Sequence, residues 1–198
     1  MDFQFPPRFP RTVAVAHAML APRIANGDTV VDATAGNGHD TAFLAECVGD
    51  GGCVISIDLQ PTAIDATRTH CENLGLIDRV NLVQDSHENI TDILSRQNVE
   101  SVSAVVFNLG YLPGGDKSIV THPDSTLSAL EQSLKYLRLH GLLLIVCYPG
   151  HPEGAIESQA VTAWASSLDE TQFLVVNYQS LNQSKRPPFI IAIERRKH

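Results

Sequence analysis

The sequence predicts an α/β fold: a mostly parallel seven-stranded sheet with helices on both faces, closed at its C-terminal end by an antiparallel hairpin. Three observations carry this reading. Five short β-rich runs alternate with helical segments from Thr29 onward. Those runs are continuously apolar, as in strands covered on both faces. The last two runs, Phe173–Gln179 and Phe189–Glu194, are separated by about ten residues, too few for a helical crossover, so they are expected to pair antiparallel.

Met1–Arg11 contains Pro6, Pro7 and Pro10 and reads as an extended arm, because proline removes the donors a helix needs. Val13, Ala16, Leu20 and Ile24 recur at helical spacing, which predicts a helix from Thr12 to about Ile24 with Thr12 as its N-cap. Strands are expected at Thr29–Ala33, Gly52–Asp58, Val80–Val83, Val102–Asn108 and Leu142–Tyr148. Helices are expected between them at Thr41–Val48, Pro61–Leu74, Ile90–Ser95, Asp124–Leu137 and Glu153–Ser167. Pro61 stands where a helix tolerates proline best. With 198 residues, 43% of them hydrophobic, the chain can bury the core of one domain spanning residues 1–198.

Composition narrows the function. Cys47, Cys53, Cys71 and Cys147 are scattered and form no C-x-x-C pair, so packing thiols and a reducing, cytoplasmic setting are expected. No apolar run reaches the roughly 18 residues of a membrane span, and no membrane partner is expected. The net charge of −8 argues against a broadly basic surface. Arg8, Arg11, Lys117, Lys185, Arg186, Arg195, Arg196 and Lys197 leave a local basic patch open, with solvated surface charge as the alternative.

The richest stretch runs Val30-Val31-Asp32-Ala33-Thr34-Ala35-Gly36-Asn37-Gly38-His39-Asp40-Thr41, a strand entering a tight loop and then a helix. Gly36 and Gly38 permit close backbone approach to a ligand, and open α/β sheets bind ligands beyond the carboxyl ends of their strands. The next strand ends at Asp58, twenty residues after Gly38, where a carboxylate accepts both ribose hydroxyls. Thr41 replaces the third glycine of the dinucleotide fingerprint, and a carboxylate at Asp32 would repel a pyrophosphate. The same carboxylate suits the ammonium of S-adenosylmethionine, or else caps a turn. Thr34, Asn37, Asp40, Thr41 and Gln60 at these two strand ends, and Ser86 and His87 at the next, are expected to bind the cofactor as well. The third strand delivers Asp85, Ser86 and His87, Asp85 toward the adenine amine or as an N-cap.

The fourth strand delivers Asn108-Leu109-Gly110-Tyr111-Leu112-Pro113-Gly114-Gly115-Asp116-Lys117 beside the methyl donor. This looks like a variant of the Asn-Pro-Pro-Tyr loop of amino-group methyltransferases, with Asn108 and Tyr111 matching. Asn108 would then bind both cofactor and amine, and Gly110, Asp116 and Lys117 would flank the substrate. The fifth strand ends in Tyr148-Pro149-Gly150-His151, which places Tyr148 at the cleft and His151 as a substrate contact or proton acceptor. His39, His87 and His151 lack zinc-ligand spacing, so no catalytic metal is expected.

Taken in order, the Asp32–Thr41, Asn108–Lys117 and Tyr148–His151 motifs resemble the YtqB/MnmM family of class I S-adenosylmethionine-dependent methyltransferases, first labelled rRNA methylases. The resemblance spans nearly the whole chain. It implies a Rossmann-like fold and methylation of the amine of 5-aminomethyl-2-thiouridine at the tRNA wobble position. It puts Asp32, Gly36, Gly38, Asp58 and Asp85 on the cofactor side. Asn108, Tyr111, Lys117 and His151 fall on the substrate side, with Lys185 and Arg186 reaching the anticodon arm. An rRNA or small-amine methyltransferase, or a non-catalytic cofactor- and RNA-binding module, remains the alternative, and a homodimer would widen the RNA surface.

Overall fold

The computed structural model describes residues 9–110 and 121–197. Among them, strands and helices alternate as β1 (Thr29–Asp32), α2 (His39–Val48), β2 (Cys53–Asp58), α3 (Pro61–Asn73), β3 (Val80–Gln84), α4 (Ile90–Arg96) and β4 (Val102–Asn108). Helix α1 (Thr12–Leu20) precedes them. α5 (Pro123–Tyr136), β5 (Leu137–Cys147), α6 (Pro152–Ser166), β6 (Phe173–Tyr178) and β7 (Phe189–Arg195) follow. The seven strands form one sheet in the order β3-β2-β1-β4-β5-β7-β6. The first five are parallel, and β7 lies antiparallel between β5 and β6.

Alternate residues along each strand face opposite layers. Val30, Val54, Ala104, Val106 and Leu144 pack with Leu20, Leu44, Ala45 and Cys71 of α1, α2 and α3. Val31, Ile55, Val105, Phe107 and Ile145 pack with Leu94, Leu130 and Val161 of α4, α5 and α6. The doubly covered parallel sheet, the closing hairpin and the helices on both faces are thus those the sequence predicts. No helix of the described residues is long and apolar enough to cross a membrane, and all four cysteines are free thiols.

Several local expectations need correction. Thr12 does not cap α1. Arg11 holds that position without a side-chain bond, and the Thr12 hydroxyl instead donates to the Pro188 carbonyl at 3.1 Å. The helix tightens into a 3₁₀ turn at Ala21–Arg23, because Pro22 supplies no N–H for an α-helical bond. Val13 stays exposed and Val15 is buried in its place. β5 begins five residues earlier than expected, since α5 runs into it directly. A bulge accommodates the extra length, the pairing passing from Val102↔Leu137 to Ala104↔Leu142, with His140 at φ 61.

Along β5, β7 pairs from Phe189 beside Cys147 to Glu194 beside Leu142. The β6–β7 connection therefore lies at the carboxyl edge of the parallel strands. Among the described residues, basic groups accordingly stand at both edges of the sheet. Lys185 and Arg186 stand at that edge, while Arg195 stands at the opposite one, its guanidinium donating to the Leu134 and Leu137 carbonyls. Arg8 and Lys117 fall outside the described residues.

Candidate active site

A cavity of about 1140 Å³ opens at the carboxyl edge. Its walls come from the loops after β1, β2, β3, β4 and β5 and from the β6–β7 connection, as expected for an open α/β sheet.

The first loop is folded around Asp58. Gly36, at φ 57, donates its N–H to Asp58 Oδ2 at 2.9 Å, and Gln60 donates its N–H to Oδ1 at 2.9 Å. The carboxylate at the end of β2 is thereby fixed in the cavity wall beside Thr34, Gly36, Asn37 and Gln60. Gly38 has a different reason to be glycine. It sits at φ 80, and a Cβ there would lie 2.8 Å from the Thr67 Cα, so close packing of the loop on α3 requires it. Gly38 is buried and does not line the cavity.

Asp32 and Thr41 also stand behind the wall and not in it. Asp32 is fully buried. Its carboxylate accepts the Thr41 hydroxyl at 2.6 Å and the Thr34 N–H at 3.2 Å, and Thr41 Oγ1 lies 2.7 Å from Ser56 Oγ. Burial, aided by the nearby Asp40, pushes the Asp32 carboxyl up to about 7, because a charge without solvent or cation is costly. The expectation that Asp32 meets an ammonium is corrected: it braces the loop from beneath.

The loop after β3 divides similarly. Asp85 Oδ1 is occupied by the Ser86 N–H and the Asn89 amide, both at 2.8 Å, and does not reach the cavity, whereas Ser86 and His87 do. Ser86, and not Asp85, provides the side-chain cap of the following turn. His87 packs edge-on against Phe107. Burial holds its pKa below the ordinary histidine value, and among the described residues its buried Nε2 has no hydrogen-bond partner.

At the end of β4, the Asn108 N–H donates to Thr34 Oγ1 at 2.7 Å, joining the fourth loop to the first. The Asn108 amide donates through Nδ2 to Asp40 Oδ2 at 2.5 Å. Asp40 Oδ1 lies 2.6 Å from His17 Nε2, a residue of α1 that sequence reasoning missed. Tyr148 joins Asp40 and Asn108 in the wall; burial first, then the Asp40 charge, raises its phenol pKa.

Gly110 closes against Thr121, and the Thr121 hydroxyl donates to Glu157 at 2.6 Å. Tyr111, Asp116 and Lys117 lie outside the described residues. His151 lines the cavity and caps α6, its Nδ1 accepting the Gly154 N–H at 3.1 Å. The same Nδ1 stands 3.4 Å from a carboxylate oxygen of Glu153, so the ring is held between the start of α6 and the cavity. Gly154 allows this fold of the ring, since a Cβ there would collide with the Tyr148 carbonyl oxygen and stand 2.6 Å from His151 Nε2. Lys185 and Arg186 are exposed at the mouth.

His17, Thr121 and Glu157 thus belong to the site or its frame although no motif marks them. Glu157 leaves a signal: it falls on the buried stripe of α6 with Gly154, Val161 and Ala165, where an isolated carboxylate demands partners.

The cavity fits S-adenosylmethionine. Asp58 offers a carboxylate able to accept the hydroxyls of a ribose, and the buried His87 Nε2, without a hydrogen-bond partner among the described residues, leaves a polar atom at the wall for a ligand. The family model described as "Putative rRNA methylase" matches residues 54–194. A plant relative, "tRNA (mnm(5)s(2)U34)-methyltransferase, chloroplastic" from Arabidopsis thaliana, is 37% identical over 193 residues, 93% of this chain and 70% of its own length. An rRNA-methylase structure from Clostridium thermocellum has a TM-score of 0.91 at 39% identity, covering 95% of this chain and 99% of that one. A Streptococcus mutans methyltransferase, SMU.1697c, solved in complex with SAH, has a TM-score of 0.85 at 34% identity, with the same coverage of both chains. Fold, cavity and kinship converge: this chain is an S-adenosylmethionine-dependent methyltransferase and belongs to the family described as "Putative rRNA methylase".

Proposed function

We propose that the enzyme methylates the amine of 5-aminomethyl-2-thiouridine at the wobble position of tRNA. The observation that carries this is the Asn108 amide: Asp40 holds its Nδ2 at 2.5 Å, which leaves Oδ1 as the end for a ligand. An oxygen acceptor at that place suits an N–H nucleophile. The plant relative, whose name specifies the same tRNA position, supports the reading.

Bound S-adenosylmethionine supplies an electrophilic methyl group on a sulfonium. The residues of the chain bind and orient. Asp58, fixed by Gly36 and Gln60, receives the ribose hydroxyls, and Thr34 ties the cofactor loop to Asn108. Asn108 Oδ1 accepts one amine hydrogen and directs the nitrogen lone pair toward the cofactor side of the cavity. Such positioning contributes about 7 to 11 kcal/mol to a bimolecular reaction. An alkylammonium has no lone pair, so the amine reacts after losing a proton. His151 and Tyr148, both in the cavity wall, flank the acceptor, His151 as a contact or proton acceptor for the amine. Lys185 and Arg186 at the mouth meet the phosphates of the anticodon arm, whose splayed bases need little unstacking. The free thiols suit a reducing compartment where tRNA is modified.

Incubation with labelled S-adenosylmethionine and tRNA bearing the aminomethyl precursor, followed by nucleoside mass spectrometry, tests the reading. A gain of one methyl on that nucleoside is expected. A gain confined to rRNA or to free amines overturns the substrate assignment.

A further inference from the structure

We propose that Asp40 and His17 are positioning residues for methyl transfer. They form a relay, His17 to Asp40 to Asn108, that fixes which end of the Asn108 amide faces the acceptor. The inference rests on the reading of Asn108 as the partner of the amine.

An asparagine side chain has a broad, two-fold terminal torsion, and its two ends are opposite in kind, one accepting and one donating. Nothing intrinsic to Asn108 selects the productive orientation. Asp40 does, because a carboxylate only accepts and so compels Nδ2 toward itself, at 2.5 Å. The inverted amide would bring two acceptor oxygens together there and turn a donor toward the amine. The negative charge also polarises the amide and strengthens Oδ1 as an acceptor.

Asp40 is held in turn. It lies in the first turn of α2, and its second oxygen is 2.6 Å from His17 Nε2. The His17 ring lies flat on Phe43, with centroids 3.8 Å apart and planes 1° from parallel. Phe43 is three residues beyond Asp40 on the same helix face, so one face of α2 grips the ring by stacking and by hydrogen bond. His17 itself does not line the cavity. Helix α1, which carries none of the cofactor loops, thereby reaches the Asn108 amide in two contacts. Both Asp40 oxygens have side-chain partners, Asn108 on one and His17 on the other.

Two readouts test this. In the ¹⁵N-labelled wild-type protein, the Asn108 side-chain amide pair is identified by its loss in Asn108→Ala. That pair should shift in Asp40→Asn and in His17→Phe, which keeps the stacking and loses the donor. It should stay in place in His17→Gln, whose amide reaches Asp40. In single turnovers at saturating S-adenosylmethionine and tRNA, Asp40→Asn should slow methyl transfer by about 10- to 100-fold with the cofactor Kd changed less than about threefold. His17→Phe should slow it by about 10-fold and His17→Gln should restore most of the rate. In an Asn108→Ala background, Asp40→Asn should cause no further loss, since residues acting through one contact are not additive. Unmoved Asn108 resonances, or fully additive losses, would overturn the relay. A loss of cofactor affinity in Asp40→Asn with an unchanged rate would make Asp40 a cofactor ligand. If the wild-type enzyme transfers no methyl group to the aminomethyl nucleoside, the proposed function falls, and the amide resonances still decide the relay.

Discussion

Gly110 and Thr121 hold each other twice: the Gly110 N–H donates to Thr121 Oγ1 at 2.9 Å, and the Thr121 N–H donates to the Gly110 carbonyl at 3.1 Å. The segment after β4 is pinched at its base by this pair. The pair is in turn anchored in the protein interior, because Glu157, 2% exposed, accepts the hydroxyls of Thr121 and Thr126 at 2.6 Å each.

Glu157→Ala should therefore destabilise the protein by about 2 to 4 kcal/mol, through the space left in α6 and the buried Thr126 and half-buried Thr121 hydroxyls deprived of their acceptor. Thr121→Val should cost less, about 1 to 2 kcal/mol, and reduce methylation more than stability predicts. Urea unfolding and turnover measured on both variants separate the two effects.

Asp58→Ala removes the acceptor for the Gly36 and Gln60 N–H groups as well as the proposed partner of the ribose. Calorimetry with S-adenosylmethionine should show affinity reduced by about 10- to 1000-fold, on the scale of one or two charge-assisted hydrogen bonds. Unchanged affinity would remove Asp58 from the cofactor site.

Asp32 makes stability depend on pH in an unusual direction. Its carboxyl is raised to about 7, from about 3.9 in an unfolded chain. Between those values the native state holds a proton that the unfolded state has released, so stability falls as pH rises. Asp32→Asn keeps an acceptor for the Thr34 N–H and presents an amide N–H to Thr41 Oγ1, whose hydroxyl can donate to Ser56 instead, without a charge to bury. Its stability relative to wild type should rise by about 1 to 3 kcal/mol between pH 4.5 and 8, read from urea midpoints at the two pH values. A flat difference would mean that Asp32 titrates normally.

Lys185 and Arg186 should act on RNA alone. Replacing both by alanine should weaken tRNA binding at low salt and reduce the slope of log K against log salt by roughly 1 to 2, with cofactor affinity unchanged. A loss of cofactor affinity would assign the hairpin to the cofactor instead.

The strands were legible because each is a continuous apolar run, and Val30 and Val31 need only alternate to face two helical layers. Boundaries shifted where a local event intervened: Pro22 after α1, and the bulge that lets α5 pass directly into β5. Asp58 and Asn108 could be placed from their positions at strand ends. Asp32 could not, because sequence puts it at the mouth of β1 but does not tell that the Thr41 hydroxyl and the Thr34 N–H converge on it behind the cavity wall. His17 was hidden for a related reason. Its partner stands 23 residues away, and only the packing of α1 on α2 brings them together.

The antiparallel insertion of β7 between β5 and β6 also settles how the enzyme can be attached to a surface. The Phe189 end of β7 borders the cavity and the Arg195 end lies across the sheet, roughly 20 Å away at about 3.3 Å per residue. A dye, bead or affinity handle grafted near Arg195 would leave the RNA-facing mouth open, whereas the same label near Lys185 would stand in the path of the substrate.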